Sequence, residues 1–182
     1  MNNIYKTNLI LVLLFVSLLA FADKKPPVID YKSISHPVIG SKGMVVSQRE
    51  IASRVGADIL LKGGNAIDAA VATSFALAVV LPRAGNLGGG GFMLVYLKKE
   101  GKTIAIDYRE RAPLKATRDM FLDSNGDYDK NKARFSLLSA GVPGTVAGMK
   151  FALENYGTMT WSEVIQPAID LAEGFLVPHD LS

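Results

Sequence analysis

With 182 residues, of which 49% are hydrophobic and 20% charged, the chain has the size and composition of one folded domain. The net charge of +3 is small, and no basic run alternates with aromatic residues, so the composition argues against nucleic-acid binding. Cysteine is absent, which excludes disulfides, thiolate metal sites and Cys nucleophiles. Two histidines, His36 and His179, are too few for a His-based metal site or a Ser-His pair, and we expect neither metal nor cofactor.

The first residues have the pattern of a cleaved signal peptide. Lys6 supplies a positive charge, an apolar run covers Leu9 to Leu19, and Ala20-Phe21-Ala22 fits a cleavage site. A membrane anchor is the alternative, but a spanning helix needs about 20 apolar residues and this run is shorter. We therefore predict a signal peptide over residues 1–22, a periplasmic or secreted mature protein, and no stable membrane anchor. Residues 23–42 are polar and rich in proline, which predicts an extended lead-in.

Two helices are predicted next. Ser47 and Glu50 have the spacing of a capping box before an apolar-periodic segment, and Gly63-Gly64 is a typical helix end. Asn65 then opens a second helix, with Asp68 in its first turn. This helix is apolar on nearly all sides and rich in alanine, and Pro82 ends it. It is short for a membrane span, so we predict a helix buried against a sheet.

A hairpin follows a cluster of four glycines at positions 88–91. Phe92–Leu97 and Thr103–Tyr108 are the predicted strands, joined by the polar sequence KKEGK. The glycines do not fit a nucleotide-binding fingerprint, because a helix precedes them and a strand follows. Glycine permits close backbone approach to another strand or to a ligand, and tight packing is the favoured interpretation.

The segment after the hairpin is predicted to be mostly loop, from Pro113 to Arg134, with a helical turn possible over 117–121. Residues 123–129 resemble a calcium loop, but the glycine stands at the fourth position and Arg134 replaces the bidentate Glu, which favours a polar turn. Further helices are predicted over Val146–Tyr156, capped by Gly157, and after Thr160.

Charge is concentrated where the second strand ends, at Asp107, Arg109, Glu110 and Arg111. Binding groups are often placed on loops at the ends of rigid strands. A guanidinium such as that of Arg109 can bind a carboxylate through two parallel hydrogen bonds. The alternative is an ion pair between Arg109 and Glu110 or Asp107, and the residues alone leave both interpretations open.

Several long motifs make the chain similar to a known family. They are GGNAIDAAVA (63–72), PRAGNLGGGGFM (82–93), AIDYRERAP (105–113), ATRDMFLD (116–123) and AGVPGTVAGM (140–149). From about Gly43 onward the sequence resembles, in register, the start of bacterial gamma-glutamyltransferases, also called gamma-glutamyl transpeptidases or glutathione hydrolases.

The resemblance implies an α/β (α+β) N-terminal nucleophile hydrolase with an αββα sandwich, of which residues 43–182 would form only the N-terminal part of the large subunit. It implies a precursor that cleaves itself, whose small subunit supplies a nucleophilic threonine. That threonine attacks the γ-carbonyl of glutathione or another γ-glutamyl compound, and the glutamyl group passes to water, an amino acid or a peptide.

The resemblance also places the family's arginine for the substrate α-carboxylate at Arg109. It places no catalytic residue in this chain, because the nucleophile lies in the small subunit, and we expect the chain alone to be inactive. The expected partners are the small-molecule substrate and the small subunit from the same precursor. A secreted non-catalytic fragment or small-molecule binding module is the alternative. The presence or absence of a threonine-bearing cleavage motif in the continuing reading frame would discriminate the two.

Overall fold

A computed structural model of the protein describes residues 38–177. The predicted signal peptide and most of the predicted lead-in lie outside the described residues. From Gly40 onward, the described residues belong to one compact unit. Its α-helices are α1 (Glu50–Leu61), α2 (Ala66–Val80), α3 (Lys130–Phe135), α4 (Thr145–Tyr156) and α5 (Trp161–Glu173), its strands are β1 (Phe92–Leu97) and β2 (Lys102–Asp107), and a short 3-10 helix covers Leu137–Ser139.

The predicted capping box at the start of α1 is wrong. Arg49, not Ser47, is the N-cap residue, and its side chain makes no capping hydrogen bond. The Ser47 hydroxyl instead donates to the Arg49 carbonyl at 2.8 Å and lies 2.8 Å from the Ser53 hydroxyl. Ser47 is thus two residues before the N-cap, so its side chain stabilises the turn that leads into α1.

The end of α1 and the start of α2 agree with the predictions. Gly63, at φ +95°, donates its N–H to the Leu60 carbonyl, and Gly64 donates to the Ile59 carbonyl. This pair of bonds is the Schellman arrangement, which requires a left-handed residue and therefore favours glycine. Asn65 follows as the N-cap of α2, where its side chain accepts hydrogen bonds from the helix's first turn.

Helix α2 is buried at the centre of the unit, as its apolar sequence predicts, but the prediction that it lies against a sheet is wrong, because its main packing partners are helices. It packs against α1, α4 and α5, and the ring of Phe75 meets Trp161 of α5 edge-to-face at 5.4 Å. Most of its residues are buried, namely Ile67, Asp68, Ala69, Val71, Ala72, Thr73, Phe75, Ala76 and Val80. Among residues 38–177, no helix combines the length and the apolar character needed to cross a bilayer.

The hairpin is confirmed, with the second strand one residue earlier than predicted. The strands pair antiparallel, from Phe92 opposite Asp107 to Leu97 opposite Lys102. The inner face contributes Val95 and Ile106 to the core. The outer face of β1 is apolar but exposed, through Phe92, Leu94 and Tyr96.

The segment predicted as loop up to Arg134 contains α3, which was missed. Asp129 caps this helix, since its Oδ1 accepts the N–H groups of Asn131 and Lys132 at 2.9 Å each. Residues 123–127 form the predicted polar turn, with Gly126 at φ +85° and the Asp123 carboxylate accepting from Asn125 and Asp127. The final helices α4 and α5 are confirmed, and α5 begins with a capping box formed by Thr160 and Glu163.

A buried carboxylate joins two distant parts of the unit. Asp68 is fully buried in the first turn of α2, where Oδ2 accepts the Asn65 N–H at 2.7 Å. The same carboxylate accepts the Thr158 hydroxyl at 2.6 Å, the Thr158 N–H at 2.9 Å and the Met159 N–H at 3.1 Å. Burial alone raises the pKa of Asp68, but the hydrogen bonds led by Thr158 outweigh it and hold the pKa below its usual value.

We predict that Asp68→Ala lowers the free energy of unfolding of the complete protein by about 3 kcal/mol or more, because buried N–H donors lose their acceptor. Since the folded pKa lies below the usual value of about 4, the stabilisation is present above that pH and is lost as the pH falls through the folded pKa. Denaturant unfolding at pH 7 and at acidic pH measures both effects.

Glu163→Ala is the matched control, because it removes the corresponding carboxylate from an exposed capping box. We expect a clearly smaller loss there. Equal losses for the two variants would contradict the role assigned to Asp68.

Candidate functional site

The charged corner at residues 107–111 follows directly from β2 and is fixed at both ends. At the start, the Asp107 carboxylate accepts the backbone N–H of Arg109 at 3.0 Å. At the end, Arg111 and Val142 exchange backbone hydrogen bonds of 3.2 and 2.8 Å in an isolated antiparallel bridge. The backbone of the corner is therefore held between the hairpin and the turn that precedes α4.

Tyr108 anchors the middle of this corner. Its backbone continues the hairpin pairing by exchanging hydrogen bonds with Gly91, at 3.1 and 3.4 Å. Its hydroxyl donates to the Phe92 carbonyl at 3.3 Å, and its half-buried ring packs against the core. Burial raises the pKa of Tyr108, so its hydroxyl is a neutral donor at physiological pH.

Glycines surround Tyr108 because no larger residue fits. A Cβ built on Gly148 of α4 would overlap the Tyr108 ring. A Cβ on Gly144, or on Gly90 of the glycine cluster, would overlap the Tyr108 carbonyl. These glycines let two backbone segments, the glycine cluster and the start of α4, approach Tyr108 closely, which supports the packing interpretation of the cluster.

Polar contacts link the glycine cluster to the first turn of α4. The Asn86 side-chain oxygen accepts the Gly89 N–H at 2.8 Å and the Thr145 hydroxyl at 2.9 Å. The Gly89 carbonyl accepts the N–H groups of Gly144 and Thr145, at 2.8 and 3.0 Å. Sequence reasoning missed Tyr108, Asn86 and Thr145, because their contacts join residues some forty to sixty positions apart.

Arg109 and Arg111 both border an open cleft of about 510 Å³. The β2 end, the 142–144 turn and the outer surface of α4 form its remaining lining, through Ala105, Ile106, Asp107, Tyr108, Val142, Pro143, Gly144, Ala147, Gly148 and Phe151. Arg109 is exposed, and it forms no ion pair with any of residues 38–177. Arg109 thus does not form the ion pair with Glu110 or Asp107 that the sequence left open. Its guanidinium is available to a ligand.

Within the described part of the chain, no three His, Asp or Glu side chains are grouped so that they could hold a metal ion. The corner offers an exposed guanidinium on a fixed backbone, beside a partly apolar cleft. Such an arrangement suits an anionic small molecule whose charged group contacts Arg109.

Comparison with solved structures defines the class of fold. Gamma-glutamyltranspeptidase from Helicobacter pylori superposes with a TM-score of 0.71 at 52% identity, over 75% of this chain and 39% of that one. A cephalosporin acylase from Bacillus halodurans superposes with a TM-score of 0.70 at 30% identity, over 87% and 29%. The chain thus has the mixed α/β fold of the N-terminal nucleophile hydrolases, confirming the predicted class, and it covers well under half of each of these two chains.

Sequence comparison then identifies the family. The gamma-glutamyltranspeptidase family model matches residues 52–182. The glutathione hydrolase proenzyme of Escherichia coli K12 is 54% identical over 167 residues, which is 90% of this chain and 28% of that protein. The chain belongs to the gamma-glutamyltranspeptidase family, as its motifs predict, and it spans less than a third of that relative's length.

We predict that Gly148→Ala destabilises the complete protein by about 1–3 kcal/mol, because the new methyl group must displace the Tyr108 ring. The direction of the change in stability tests the contact, because Gly→Ala inside a helix ordinarily stabilises a protein by about 0.5–1 kcal/mol. Thermal unfolding measures the change. Gly88→Ala is the control, because nothing lies within 4 Å of its Cβ position, and it should leave the melting temperature nearly unchanged. A stabilised Gly148→Ala variant would contradict the close contact with Tyr108.

Proposed function

We propose that the complete protein to which this chain belongs is a gamma-glutamyltransferase that transfers or hydrolyses the γ-glutamyl group of glutathione and related compounds. Membership of the family and the name of the Escherichia coli relative, glutathione hydrolase proenzyme, support this reaction. The observation in this chain that carries the proposal is Arg109, an exposed guanidinium on a rigid corner inside the motif AIDYRERAP.

In this proposal, Arg109 binds the α-carboxylate of the γ-glutamyl donor. A glutamyl group carries a carboxylate and an ammonium on the same carbon, so a fixed cation both attracts and orients it. Two parallel N–H···O bonds would fix the plane of the carboxylate and hence the direction of the side chain that ends in the γ-carbonyl. The corner holds the Arg109 backbone through Asp107 and Tyr108, which limits the entropy lost when a substrate binds.

The bond-making step belongs to a threonine that the family resemblance places in the small subunit. Its hydroxyl attacks the γ-carbonyl, the C–N bond breaks, and the leaving amine takes a proton. Water or an acceptor amine then attacks the acyl-enzyme and releases the glutamyl group. We assign no catalytic residue to residues 1–182, and Arg109 acts by binding and positioning the donor.

We predict that Arg109→Ala lowers kcat/KM for a γ-glutamyl anilide by about 30-fold to several thousandfold, as expected for loss of one partner of a charged pair. Arg109→Lys should recover only part of this, because lysine keeps the charge but loses the planar fork. Precursor cleavage should proceed in both variants, since that reaction involves no glutamyl carboxylate. The measurement combines steady-state kinetics with subunit formation on a denaturing gel.

The control variant is Arg54→Ala, which removes another exposed arginine, one that is paired with Glu50 on α1. It should retain wild-type kinetics. Wild-type kinetics in a cleaved Arg109→Ala enzyme would overturn the role proposed for Arg109, and loss of cleavage would indicate a structural role instead.

We also propose that the small subunit of the same precursor packs on the outer face of the hairpin. Leu94 there is 77% exposed, between the exposed rings of Phe92 and Tyr96, although all three are apolar. Contiguous exposed apolar residues commonly mark an interface. Export to the periplasm or the medium is a further proposal, supported by the signal-like pattern of Lys6, Leu9–Leu19 and Ala20–Ala22.

We predict that Leu94→Glu reduces the yield of soluble, correctly cleaved protein several-fold, because a charge at a buried interface loses its hydration. Leu114→Glu is the control, since Leu114 is also exposed but lies outside the hairpin. Size-exclusion chromatography and a denaturing gel measure the yield. Equal yields from the two variants would contradict the interface.

A further inference from the structure

The cleft beside Arg109 has a second cation at its edge that the proposed binding of the α-carboxylate does not use. Arg111 borders the same cleft, and both arginines also border a neighbouring hollow of about 370 Å³. Arg111 is exposed, and within residues 38–177 it forms no ion pair. Its backbone, in contrast, is fixed by the bridge to Val142. A long cationic side chain thus extends from a rigid attachment point beside the proposed substrate site.

The acidic side chains nearby leave both cations available. Asp107 also borders the cleft, but its Oδ1 accepts the backbone N–H of Arg109. Glu110 lies between the two arginines in sequence and borders only the neighbouring hollow, where its side chain packs beside Gly141. The charged residues that line the cleft are therefore two arginines and one aspartate, which favours a ligand with more than one negative charge.

We propose that Arg111 is a specificity-determining residue that binds a second carboxylate, located on the donor beyond the γ-linkage. The preferred donors would then be γ-glutamyl amino acids, in which the residue that leaves has a free carboxylate. This inference rests on the proposed function, because it takes Arg109 to hold the α-carboxylate of the same donor.

The spacing of the two arginines suits such a donor. Their backbone attachment points are two residues apart in sequence, so they lie at most about 7 Å from each other. In a γ-glutamyl amino acid, the α-carboxylate and the second carboxylate lie at opposite ends of a dipeptide-length chain, which is a comparable separation. The flexible stems of both arginines can adjust the remaining distance, and each guanidinium can bind one carboxylate. A donor that has only the α-carboxylate would offer no partner to Arg111, whose guanidinium would stay solvated.

The test uses the complete, processed protein and a pair of donors that differ in one group, γ-glutamylglycine and γ-glutamylglycinamide. The wild-type protein should have a higher kcat/KM for the carboxylate donor. Arg111→Gln should reduce this preference about tenfold or more, as expected for one charge-assisted hydrogen bond, while the amide donor stays within about twofold of wild type.

Arg111→Lys should retain part of the preference, because the charge remains. Added salt should weaken the preference of the wild-type protein but not that of Arg111→Gln. The matched control is Arg118→Gln, since Arg118 is an exposed arginine that lines neither hollow, and it should keep the wild-type preference.

An unchanged preference in Arg111→Gln, or an equal loss for both donors, overturns the assignment of Arg111. Failure of both Arg111 variants to form subunits also overturns it, because the residue would then be structural. Arg109→Ala separates the two proposals. If it impairs both donors, the proposed function stands whatever Arg111 does, and if it impairs neither, the proposed function fails and the inference on Arg111 fails with it.

Discussion

The close contact between Tyr108 and the surrounding glycines is the constraint on which the candidate site depends. The Tyr108 ring lies against Gly148 of α4, and its carbonyl lies where a side chain at Gly90 or Gly144 would stand. Three segments that are distant in sequence, the glycine cluster, the end of β2 and the start of α4, can therefore meet only if these positions have no Cβ. The hydrogen bonds of Asn86 and Gly89 to Thr145 then hold the glycine cluster against the start of α4.

The rest of the unit keeps these segments in place. Helix α2 occupies the centre, and the Asp68 carboxylate at its N-terminus fixes the turn that joins α4 to α5 through Thr158 and Met159. Helix α4 is thus held near both ends, by Thr145 at its start and by the Asp68 contacts after its end. These contacts keep Gly148 packed against Tyr108. The rigidity of the corner is a property of the whole unit, and an exposed arginine on a rigid backbone is an arrangement suited to orienting a small anionic substrate.

Sequence patterns predicted the elements well where local chemistry determines them. The apolar sequence of α2, the glycines after α1 and the apolar, β-favouring sequence of β1 each depend on neighbours within a few residues. The capping box at Ser47 was wrong, because a matching spacing does not reveal which residue the helix starts from. Helix α3 was missed, although Asp129 has the side chain of a good N-cap, because the segment has little apolar periodicity.

The site itself depended on information that no local pattern contains. From the residues alone, Arg109 could either bind a ligand or form an ion pair with a neighbouring acidic residue. The family resemblance was needed to favour ligand binding. The partners of Asp68 lie about ninety positions away, and the Tyr108 contact joins residues forty positions apart. Such contacts arise from how the elements pack.

Binding of L-glutamate and of its α-carboxamide, isoglutamine, to the complete protein and to Arg109→Ala tests the central claim most directly. The two ligands differ only at the α-carboxylate, so the four inhibition constants form a double-mutant cycle for the contact with Arg109. The account predicts that the wild-type protein binds glutamate at least about tenfold more tightly than isoglutamine, and that Arg109→Ala nearly abolishes this difference. The same difference in both proteins would contradict it.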